Sequence, residues 1–517
     1  MHLQNEGNAL HKLTTQQQNE RVRLVAQMLM DIGHGSVAQK LLSDAGIPFE
    51  APEAESLRHA LLNGEWANAE GVLQGIQAEG MLHEGVKDAI LAVRLQKYLE
   101  LLESGDAKAA LRVLRTDITP LCSDHAYLQR LSSLIMCSNV DLLKEKADWD
   151  GRAGSSRSKL LSKVQKCVAM DSMMPEARLE SLLTQAIHHQ TRNCLYHNVP
   201  DESISLFNDH SCDRSEFPTK TTHILDGHSD EVWFVSFSPD GKLLASASKD
   251  STAIVWDITT FEPRHKFQGH TDHISVVAWS TDSAFLLTGS NDHSIKLWKI
   301  QTGVCVSTFT AHTDTITSLA FIPPSKQEPN PCRFVSSSMD KFVILWNMDG
   351  QVLHKWHGVR VTDLTVTSDG SRMVTISDRR IRIFDLASKE ELGSESESDA
   401  ITSIAPSNDA QHVLVNVSGS QEIHLWNVIE GRIVRRFLGH KQGRFVIRSC
   451  FGGLFQNFVL SGSEDANVYI WNRELGVLLE CLQGHTATVN SVSWNSMLNI
   501  FATASDDHTI RIWGVGK

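Results

Sequence analysis

The sequence predicts two domains of different class, an α-helical hairpin stack followed by an all-β domain, a seven-bladed β-propeller. In roughly the first 200 residues, apolar side chains recur at helical spacing in short segments. From about residue 219 the chain repeats a phrase that ends in an aromatic residue, and successive endings lie 38 to 48 residues apart. One four-stranded blade takes about 40 to 45 residues, so seven endings predict seven blades. The endings are Trp256, Trp298, Trp346, Phe384, Trp426, Trp471 and Trp513.

The helical half is divided by its apolar periodicity and its turns. A polar arm, predicted to be disordered, covers 1–19, and a first helical hairpin covers 20–52. Short helices are predicted for 53–198, with a flexible internal loop at 150–159, where Gly, Ser and charged residues interrupt the periodicity. A linker, 199–218, then leads to the propeller, 219–517.

The short helices carry more apolar residues than one buried face needs. The helix that contains Leu95 and Leu99 has further apolar residues off that stripe, so it is predicted to bury more than one face. Such residues are candidates for an assembly interface; the alternative is that they pack inside the chain's own helical stack. The candidate assembly residues are Leu24, Leu29, Ile32, Ile90, Val93 and Leu101.

Five of the seven repeats contain the same polar set. Each has an Asp six residues before its Trp, a Ser or Thr four residues before that Asp, and a His upstream. Such a set can form a buried hydrogen-bonded chain that stabilises a blade, so its predicted role is structural. The five sets are His228, Asp250 and Trp256; His270, Asp292 and Trp298; His312, Asp340 and Trp346; His440, Asp465 and Trp471; His485, Asp507 and Trp513.

Two weaker repeats complete the count, and the ends of the propeller predict how it closes. The repeat that ends at Phe384 has Val374 at the Ser/Thr position, and the repeat that ends at Trp426 has Ser420 at the Asp position. Few residues follow Trp513, so the outer strand of the last blade is predicted to come from 222–225, ahead of the first repeat.

Charge and composition favour protein partners. The net charge is 48 − 61 = −13, which disfavours nucleic-acid binding. The nine cysteines form no CxxC pair, and the sequence has neither a signal segment nor an apolar run of membrane-spanning length. These features predict a protein of the cytoplasm and nucleus that neither enters a membrane nor binds nucleic acid.

Motifs of enzyme chemistry are missing from the sequence. There is no GxxxxGKS/T, HExxH or GxSxG motif, so no catalytic residues and no cofactor are expected. His189, Cys194 and His197, with Cys212, offer side chains of metal-binding type, but zinc sites usually carry paired motifs, which this stretch lacks. The sequence therefore favours a helix end that packs Cys194 and Leu195 inward, without a metal.

The order of motifs resembles one family of multidomain proteins. VRLVAQMLMDIGHGSVAQKLL resembles a LisH motif, LNGEWANAEGVL a CTLH motif and QKYLELLESGDAKAALRVLRTDITPL a CRA region, and the later repeats resemble WD repeats. This combination is similar to the WD-repeat subunits of the GID/CTLH ubiquitin ligase. The resemblance implies a non-catalytic scaffold that recruits substrates for ubiquitination and proteasomal degradation. Implied partners are sister LisH/CTLH subunits, RING subunits, protein substrates and a second copy of the chain.

Two other functions stay open at this point. One family of splicing-associated factors also joins LisH, CTLH and seven WD units, and Gβ-like signalling scaffolds share the propeller. The Gβ-like alternative is weakened because the helical half lacks a long heptad helix.

In WD propellers, residues beside the start of each inner strand and before the turn Asp reach the face where the central channel opens. On this resemblance, Trp233 and Arg360 are the leading partner-binding candidates, because Trp and Arg dominate binding hot spots. The alternative is that Trp233 plugs the channel and Arg360 pairs with Asp363. The candidate face comprises Glu231, Trp233, Lys249, His273, Asn291, Met339, Arg360, Arg444, Arg448 and Asn490.

Overall fold

The computed structural model describes residues 15–50, 52–78, 83–122, 125–137, 139–167, 174–200, 203–324, 333–358, 360–443 and 445–516. The chain divides into two compact units, Met1–Ala186 and Ile187–Lys517, and the division falls within the last long helix. Residues 1–14 of the predicted arm lie outside the described residues, whereas the first helix already begins at Thr15.

The described residues before the propeller form ten α-helices. A π-helical turn, Leu114–Ile118, continues α6, and a 3-10 turn, Arg214–Glu216, precedes the first strand. The helices are α1 Thr15–Asp31, α2 Gly35–Ala45, α3 Pro52–Asn63, α4 Trp66–Ala78, α5 His83–Glu103, α6 Ala107–Val113, α7 His125–Leu134, α8 Val140–Ala147, α9 Ser156–Cys167 and α10 Arg178–Asn193.

Helix α5 packs on two separate cores, which confirms that it buries more than one face. Its first half joins α3, α4 and α9, where Ile90 and Val93 are 6% and 0% exposed. Its second half joins α6, α7 and α8, where the Tyr98 hydroxyl donates to the Leu131 carbonyl at 2.6 Å and Leu101 is partly buried. Ile90 and Val93 therefore pack inside the chain's own helical stack, which is the alternative that the sequence left open. They are core residues and not assembly residues.

The predicted flexible loop 150–159 is a tight turn followed by the first turn of α9. Asp150 accepts hydrogen bonds from the backbone and side chain of Ser155, at 2.9 and 2.6 Å. Arg157 forms an ion pair with Glu100 of α5 at 2.8 Å, and buried Ser156 accepts from Gln96 at 3.0 Å. Local composition does not reveal that these polar residues have partners on α5; the flexibility of the segment stays a prediction.

The second unit is a ring of seven antiparallel four-stranded sheets, which confirms the predicted fold class. Blade one is β2 Val232–Phe237, β3 Leu243–Ser248, β4 Ala253–Asp257, β5 Pro263–Phe267; blade two is β6 Ile274–Trp279, β7 Phe285–Ser290, β8 Ile295–Lys299, β9 Val304–Phe309; blade three is β10 Ile316–Ile322, β11 Arg333–Ser338, β12 Phe342–Asn347, β13 Val352–His357; blade four is β14 Asp363–Val366, β15 Arg372–Ser377, β16 Arg380–Asp385, β17 Glu391–Ser396. Blade five is β18 Ile401–Pro406, β19 His412–Val417, β20 Glu422–Asn427, β21 Arg432–Leu438; blade six is β22 Ser449–Gly452, β23 Phe458–Ser461, β24 Asn467–Asn472, β25 Leu478–Gln483; blade seven is β26 Val489–Trp494, β27 Phe501–Ser505, β28 Ile510–Gly514, together with β1 Lys220–Leu225.

Blade seven is completed by the strand that precedes blade one. Strand β1 pairs antiparallel with β28, and Leu225 lies opposite Ile510. The prediction that 222–225 supplies this strand is confirmed. Hydrogen bonds between neighbouring inner strands continue around the ring; Asn490 of blade seven, for example, donates to the Val232 carbonyl of blade one at 3.0 Å.

The segment 194–217, here called the clasp, lies on the outside of blades six and seven. Asn198 accepts from the Leu454 amide at 2.7 Å, and Arg214 forms two hydrogen bonds with Glu480 of β25. Phe217 is buried against Phe458. The described part of the predicted linker 199–218 is therefore attached to the propeller wall. Within the described residues, no helix is both long and apolar enough to cross a membrane.

Candidate partner-binding face of the propeller

Four blades contain the full polar chain, and it holds the turn between the second and third strands. In blade three, His312 bonds Asp340 through Nδ1 and Ser336 through Nε2, each at 2.8 Å, and Trp346 Nε1 donates to Ser336 at 2.8 Å. Blades one, two and seven repeat these contacts. Burial lowers the pKa of His312 below its ordinary value, so the ring is neutral and its hydrogen bonds are fixed.

Blade six departs from the predicted chain. Tyr469 donates its hydroxyl to Asp465 at 2.9 Å and so takes the carboxylate that pairs with His in the other blades. Trp471 donates to the Leu438 carbonyl instead of to a hydroxyl. Both ring nitrogens of buried His440 lack a hydrogen-bond partner among the described residues. The set His440, Asp465 and Trp471 is therefore present in sequence without forming the chain.

Blade five has a different polar set, which sequence reasoning missed. Glu397 accepts from the Trp426 indole nitrogen and lies 2.7 Å from His424 Nδ1. Burial acts to lower the pKa of His424, but Glu397 and Glu422 outweigh it and raise the pKa above its ordinary value. Glu397 lies in an acidic stretch, SESESD, whose composition is typical of a loop. The sequence signal for this polar set is therefore His424, two residues before the repeat ending Trp426.

Predicted face residues of blades one, two and three lie at the same end of their blades. In blades one, two and three, the residue before the turn aspartate donates its amide to the loop that precedes the first strand. The bonds are Lys249 to Glu231 at 3.0 Å, Asn291 to His273 at 2.9 Å and Met339 to Thr315 at 3.0 Å. Because this bond repeats with the blades, the side chains around it emerge at the same end of the ring.

Trp233 lies in a small polar cluster at this end. Its indole nitrogen donates to Glu231 at 2.9 Å, and Lys249 Nζ donates to the same carboxylate at 2.9 Å. His273 of blade two contacts the Trp233 ring edge at 5.5 Å between centroids and bonds the Lys249 carbonyl. Burial acts to raise the pKa of Glu231, but the hydrogen bonds from Lys249 and Trp233 lower it overall, so the carboxylate is charged. Trp233 is half-buried, and this arrangement orients its ring without covering it.

A groove of about 860 Å³ lies beside Arg360. Arg360, Arg379 and Arg380 are exposed around it, Arg382 is half-buried and Met339 also contributes to the lining. Asp378 and Glu397 are the acidic lining residues, so cations predominate. We call this the arginine groove.

Arg360 does not pair with Asp363, the partner that the alternative interpretation of the sequence gives it. Its Nε lies 2.8 Å from Met339 Sδ. Asp363 is buried and accepts the amides of Leu364 and Ile404, at 2.9 and 3.1 Å. Sequence reasoning found Met339 and Arg360 but missed Arg379 and Arg380, whose signal was the Asp-Arg-Arg turn of the fourth repeat.

Two predicted face residues lie further inside the ring. The Arg448 guanidinium is 4.9 Å from the centroid of the Phe234 ring, and its burial lowers the Arg448 pKa, an effect that Asp363 opposes. Asn490 is buried and donates to Val232 and Asp506. Arg448 thus interacts with residues of blades one and four, and Asn490 joins the neighbouring blades seven and one. Arg444 lies outside the described residues.

The helical unit has its own exposed apolar face. Leu24 and Leu29 are half-buried, and Leu29 packs against the small core of the α1–α2 hairpin. Ile32 is 57% exposed. Further exposed apolar residues of this hairpin, which the sequence did not single out, are Val25, Met28 and Val37.

Four potential metal ligands meet in the clasp. The ligand atoms of Cys194, His197, His210 and Cys212 lie within 4.8 Å of one another, and in the described part of the chain no other group of three or more such residues is found. His189 lies outside this group, and His210, which the sequence did not single out, lies within it. Leu195 is exposed and Cys194 is buried.

Comparison with known proteins agrees with the architecture. The family model "WD domain, G-beta repeat" matches 219–257, 261–299, 303–347, 350–385, 431–472 and 476–514. Strands β18 to β20 of blade five fall in the unmatched interval 386–430, where Glu397 and His424 replace the usual set.

Relatives extend the similarity to the helical half. A "WD repeat-containing protein 26 homolog" of Arabidopsis thaliana is 35% identical over 96% of this chain and 85% of its own length, and one of Drosophila melanogaster is 35% identical over 96% and 80%. "GID complex subunit 7" of Schizosaccharomyces pombe is 37% identical over 96% of this chain and 97% of its own length. The chain thus belongs to the family of WD-repeat proteins that includes the WD repeat-containing protein 26 homologs and GID complex subunit 7.

Proposed function

We propose that this protein is a non-catalytic scaffold and substrate-recruiting subunit of a GID-type ubiquitin ligase. The observation that carries the proposal is the match to GID complex subunit 7, which spans nearly all of both chains and therefore includes both units. In this role, partner RING subunits transfer ubiquitin, and this chain brings targets to them for proteasomal degradation. The protein acts in the cytoplasm and nucleus.

The helical unit is the assembly part of this proposal. It corresponds to LisH, CTLH and CRA modules that bind sister subunits and a second copy of the chain. The exposed apolar residues Val25, Met28 and Ile32 support this role, because at spacings of three and four they lie along one face of α1.

The end of the propeller that carries the arginine groove is the recruiting part. Four arginines around one depression form a local positive site on a chain of net charge −13. Guanidinium groups bind carboxylates through two parallel hydrogen bonds, so an acidic segment of a protein partner fits this surface. Trp233, on the same end of the ring, supplies an aromatic contact.

Affinity isolation of the full-length protein from its source cell tests the assembly. We expect RING-containing subunits and sister LisH/CTLH subunits among the stoichiometric partners. Spliceosomal proteins would instead support the splicing-associated alternative, and small G-protein γ chains the signalling scaffold. Either result without RING partners contradicts the proposal.

Recruitment is tested with a triple variant of the groove, R360A/R379A/R380A. The matched control is R264A/R432A/R436A, which removes the same charge from exposed positions on the outer strands β5 and β21. Binding of captured targets is expected to weaken at least tenfold in the groove variant, since each hot-spot arginine contributes about 2 kcal/mol. Equal binding by both variants, with sister-subunit assembly intact, removes the groove from the recruiting role.

A further inference from the structure

We propose that Cys194, His197, His210 and Cys212 bind a structural zinc ion that fastens the clasp. The inference rests on the geometry of these four side chains and is independent of the proposed function. The ligands follow the pattern Cys-x2-His-x12-His-x-Cys. Cys194 comes directly after the end of α10, and Cys212 comes shortly before the 3-10 turn that leads to β1.

The distances between the ligand atoms suit a tetrahedral ion. His197 Nδ1 lies 2.9 Å from His210 Nε2, and Cys212 Sγ lies 3.2 Å from His210 Nε2 and 3.9 Å from His197 Nδ1. With Zn–N bonds of about 2.0 Å and Zn–S bonds of about 2.3 Å, the ligand atoms of a tetrahedral site are about 3.3 to 3.8 Å apart. Small side-chain movements are therefore sufficient to place all four around one ion.

The donor set selects zinc over other common cations. Two thiolates and two imidazoles form a site of nitrogen and sulfur ligands, whereas calcium and magnesium require oxygen ligands. Four protein ligands complete the tetrahedron and leave no position for a substrate or an activated water, so the ion is structural and not catalytic.

The surroundings already orient the ligands. The Cys212 amide donates to Cys194 Sγ at 3.3 Å, the kind of N–H to sulfur bond that stabilises a metal-bound thiolate. The His197 ring is buried and lies parallel to Phe455 of the propeller at 6.3 Å between centroids. The His210 backbone amide donates to Gln190 of α10 at 3.2 Å.

The ion would secure a segment that also makes hydrogen bonds to blade six. The backbone carbonyls of Leu195 and His197 accept hydrogen bonds from the side-chain amides of Asn472 and Asn457 in blade six. Tyr196 and Arg214 both donate to Glu480 of blade six, at 2.7 Å in the case of Tyr196. Zinc closes the clasp into a loop between these contacts and so holds both of its ends against the propeller. Metal removal is expected to loosen the whole clasp.

Elemental analysis of the full-length protein, purified without chelator, is the first test. Wild type is expected to contain about one zinc ion per chain, and C194S/C212S to contain none. His189→Ala is the matched control and retains the metal, because His189 lies nearby but outside the cluster. Equal zinc in wild type and C194S/C212S overturns the proposal, and so does zinc lost equally from His189→Ala.

Spectroscopy covers the case in which the double variant fails to fold. Cobalt(II), added to wild type from which zinc was gently removed, is expected to give the strong visible bands of a tetrahedral site with two thiolates. His210→Cys, which replaces one ligand by another, should retain the metal and increase the thiolate-to-cobalt absorption, whereas His210→Ala should lose it. Absence of the tetrahedral bands in wild type, or a Cys194–Cys212 disulfide found by mass spectrometry of the unreduced protein, refutes the zinc site.

Discussion

At the scale of single residues, the same polar types have different roles in different blades. His312 and His440 occupy equivalent repeat positions and both are buried, yet His312 bonds Asp340 and Ser336 while both nitrogens of His440 lack a partner among the described residues. Burial lowers the pKa of His440, and nearby Gln442, which makes no hydrogen bond to the ring, acts to raise it. The first histidine stabilises its blade, and the second costs free energy on burial.

A matched pair of substitutions measures this difference. His312→Leu is expected to lower the free energy of unfolding by about 2 kcal/mol or more, because Asp340 and Ser336 lose a buried partner. His440→Leu is expected to leave stability unchanged or to raise it by up to about 1 kcal/mol, because a buried ring without hydrogen bonds is removed. Urea unfolding of the full chain, followed by tryptophan fluorescence, gives both values; equal losses contradict the prediction.

The same residues predict a dependence on pH. Burial lowers the pKa of His270, His312 and His440, so the folded state binds fewer protons than the unfolded state once the pH falls below the unfolded value of about 6.5. The contribution of these three histidines therefore lowers stability from pH 7.5 to 5.5, whereas His424, whose pKa is raised, contributes in the opposite sense. His440→Leu should show a smaller decrease than wild type over this interval, and an equal decrease would exclude His440 as a contributor.

Replacement of Trp233 distinguishes a structural role of its ring from a role in partner binding. If its ring contacts a partner, Trp233→Ala reduces target capture with little change in unfolding, since the contact costs about 2 kcal/mol or more when truncated. If the ring only fills the channel mouth, the variant loses stability and retains capture. Glu231, Lys249 and His273 surround the ring but leave it half-buried, so we expect the first outcome.

At the scale of elements, periodicity located helices and strands better than it identified their exposed faces. The apolar spacing around Ile90 and Val93 correctly indicated a helix with two buried faces, but the neighbours that cover them come from α3 and α9, distant in sequence. The candidate site residues also divide into those that the sequence pattern locates and those that depend on tertiary contacts. Trp233, Lys249 and Met339 follow from the repeat register, whereas Arg379, Glu397 and His210 required knowledge of which loops meet in space.

The α1–α2 hairpin is the element on which self-association is tested. Met28 is 42% exposed on the same face as Val25 and Ile32, so Met28→Asp is expected to reduce the apparent mass of the full-length protein in light scattering. Met136→Asp is the control, because Met136 is 87% exposed and lies after α7. A change of mass for both variants, or for neither, contradicts an interface on this hairpin.

At the scale of the whole molecule, closure of the ring depends on β1. Fragment 218–517 retains β1, whereas fragment 226–517 leaves β28 with an unpaired edge. We expect the first to be soluble and the second to aggregate, since exposed strand edges pair between molecules. Comparison with fragment 187–517, which also retains the clasp, shows what the clasp adds to the melting temperature. Equal solubility of fragments 218–517 and 226–517 would show that β1 is dispensable.

The pairing of β1 with β28 also sets the order of events during translation. Residues 225 and 510 are partners 285 positions apart, and a ribosome adds about 5 to 20 residues each second, so β1 waits on the order of 15 to 60 seconds for β28 to be synthesised. The helical unit precedes β1 and can fold in that time, whereas blade seven is complete only after β28 has been made. During this interval β1 has no partner strand, and because unpaired strands pair with other chains, we expect chaperones to bind the nascent protein at this stage.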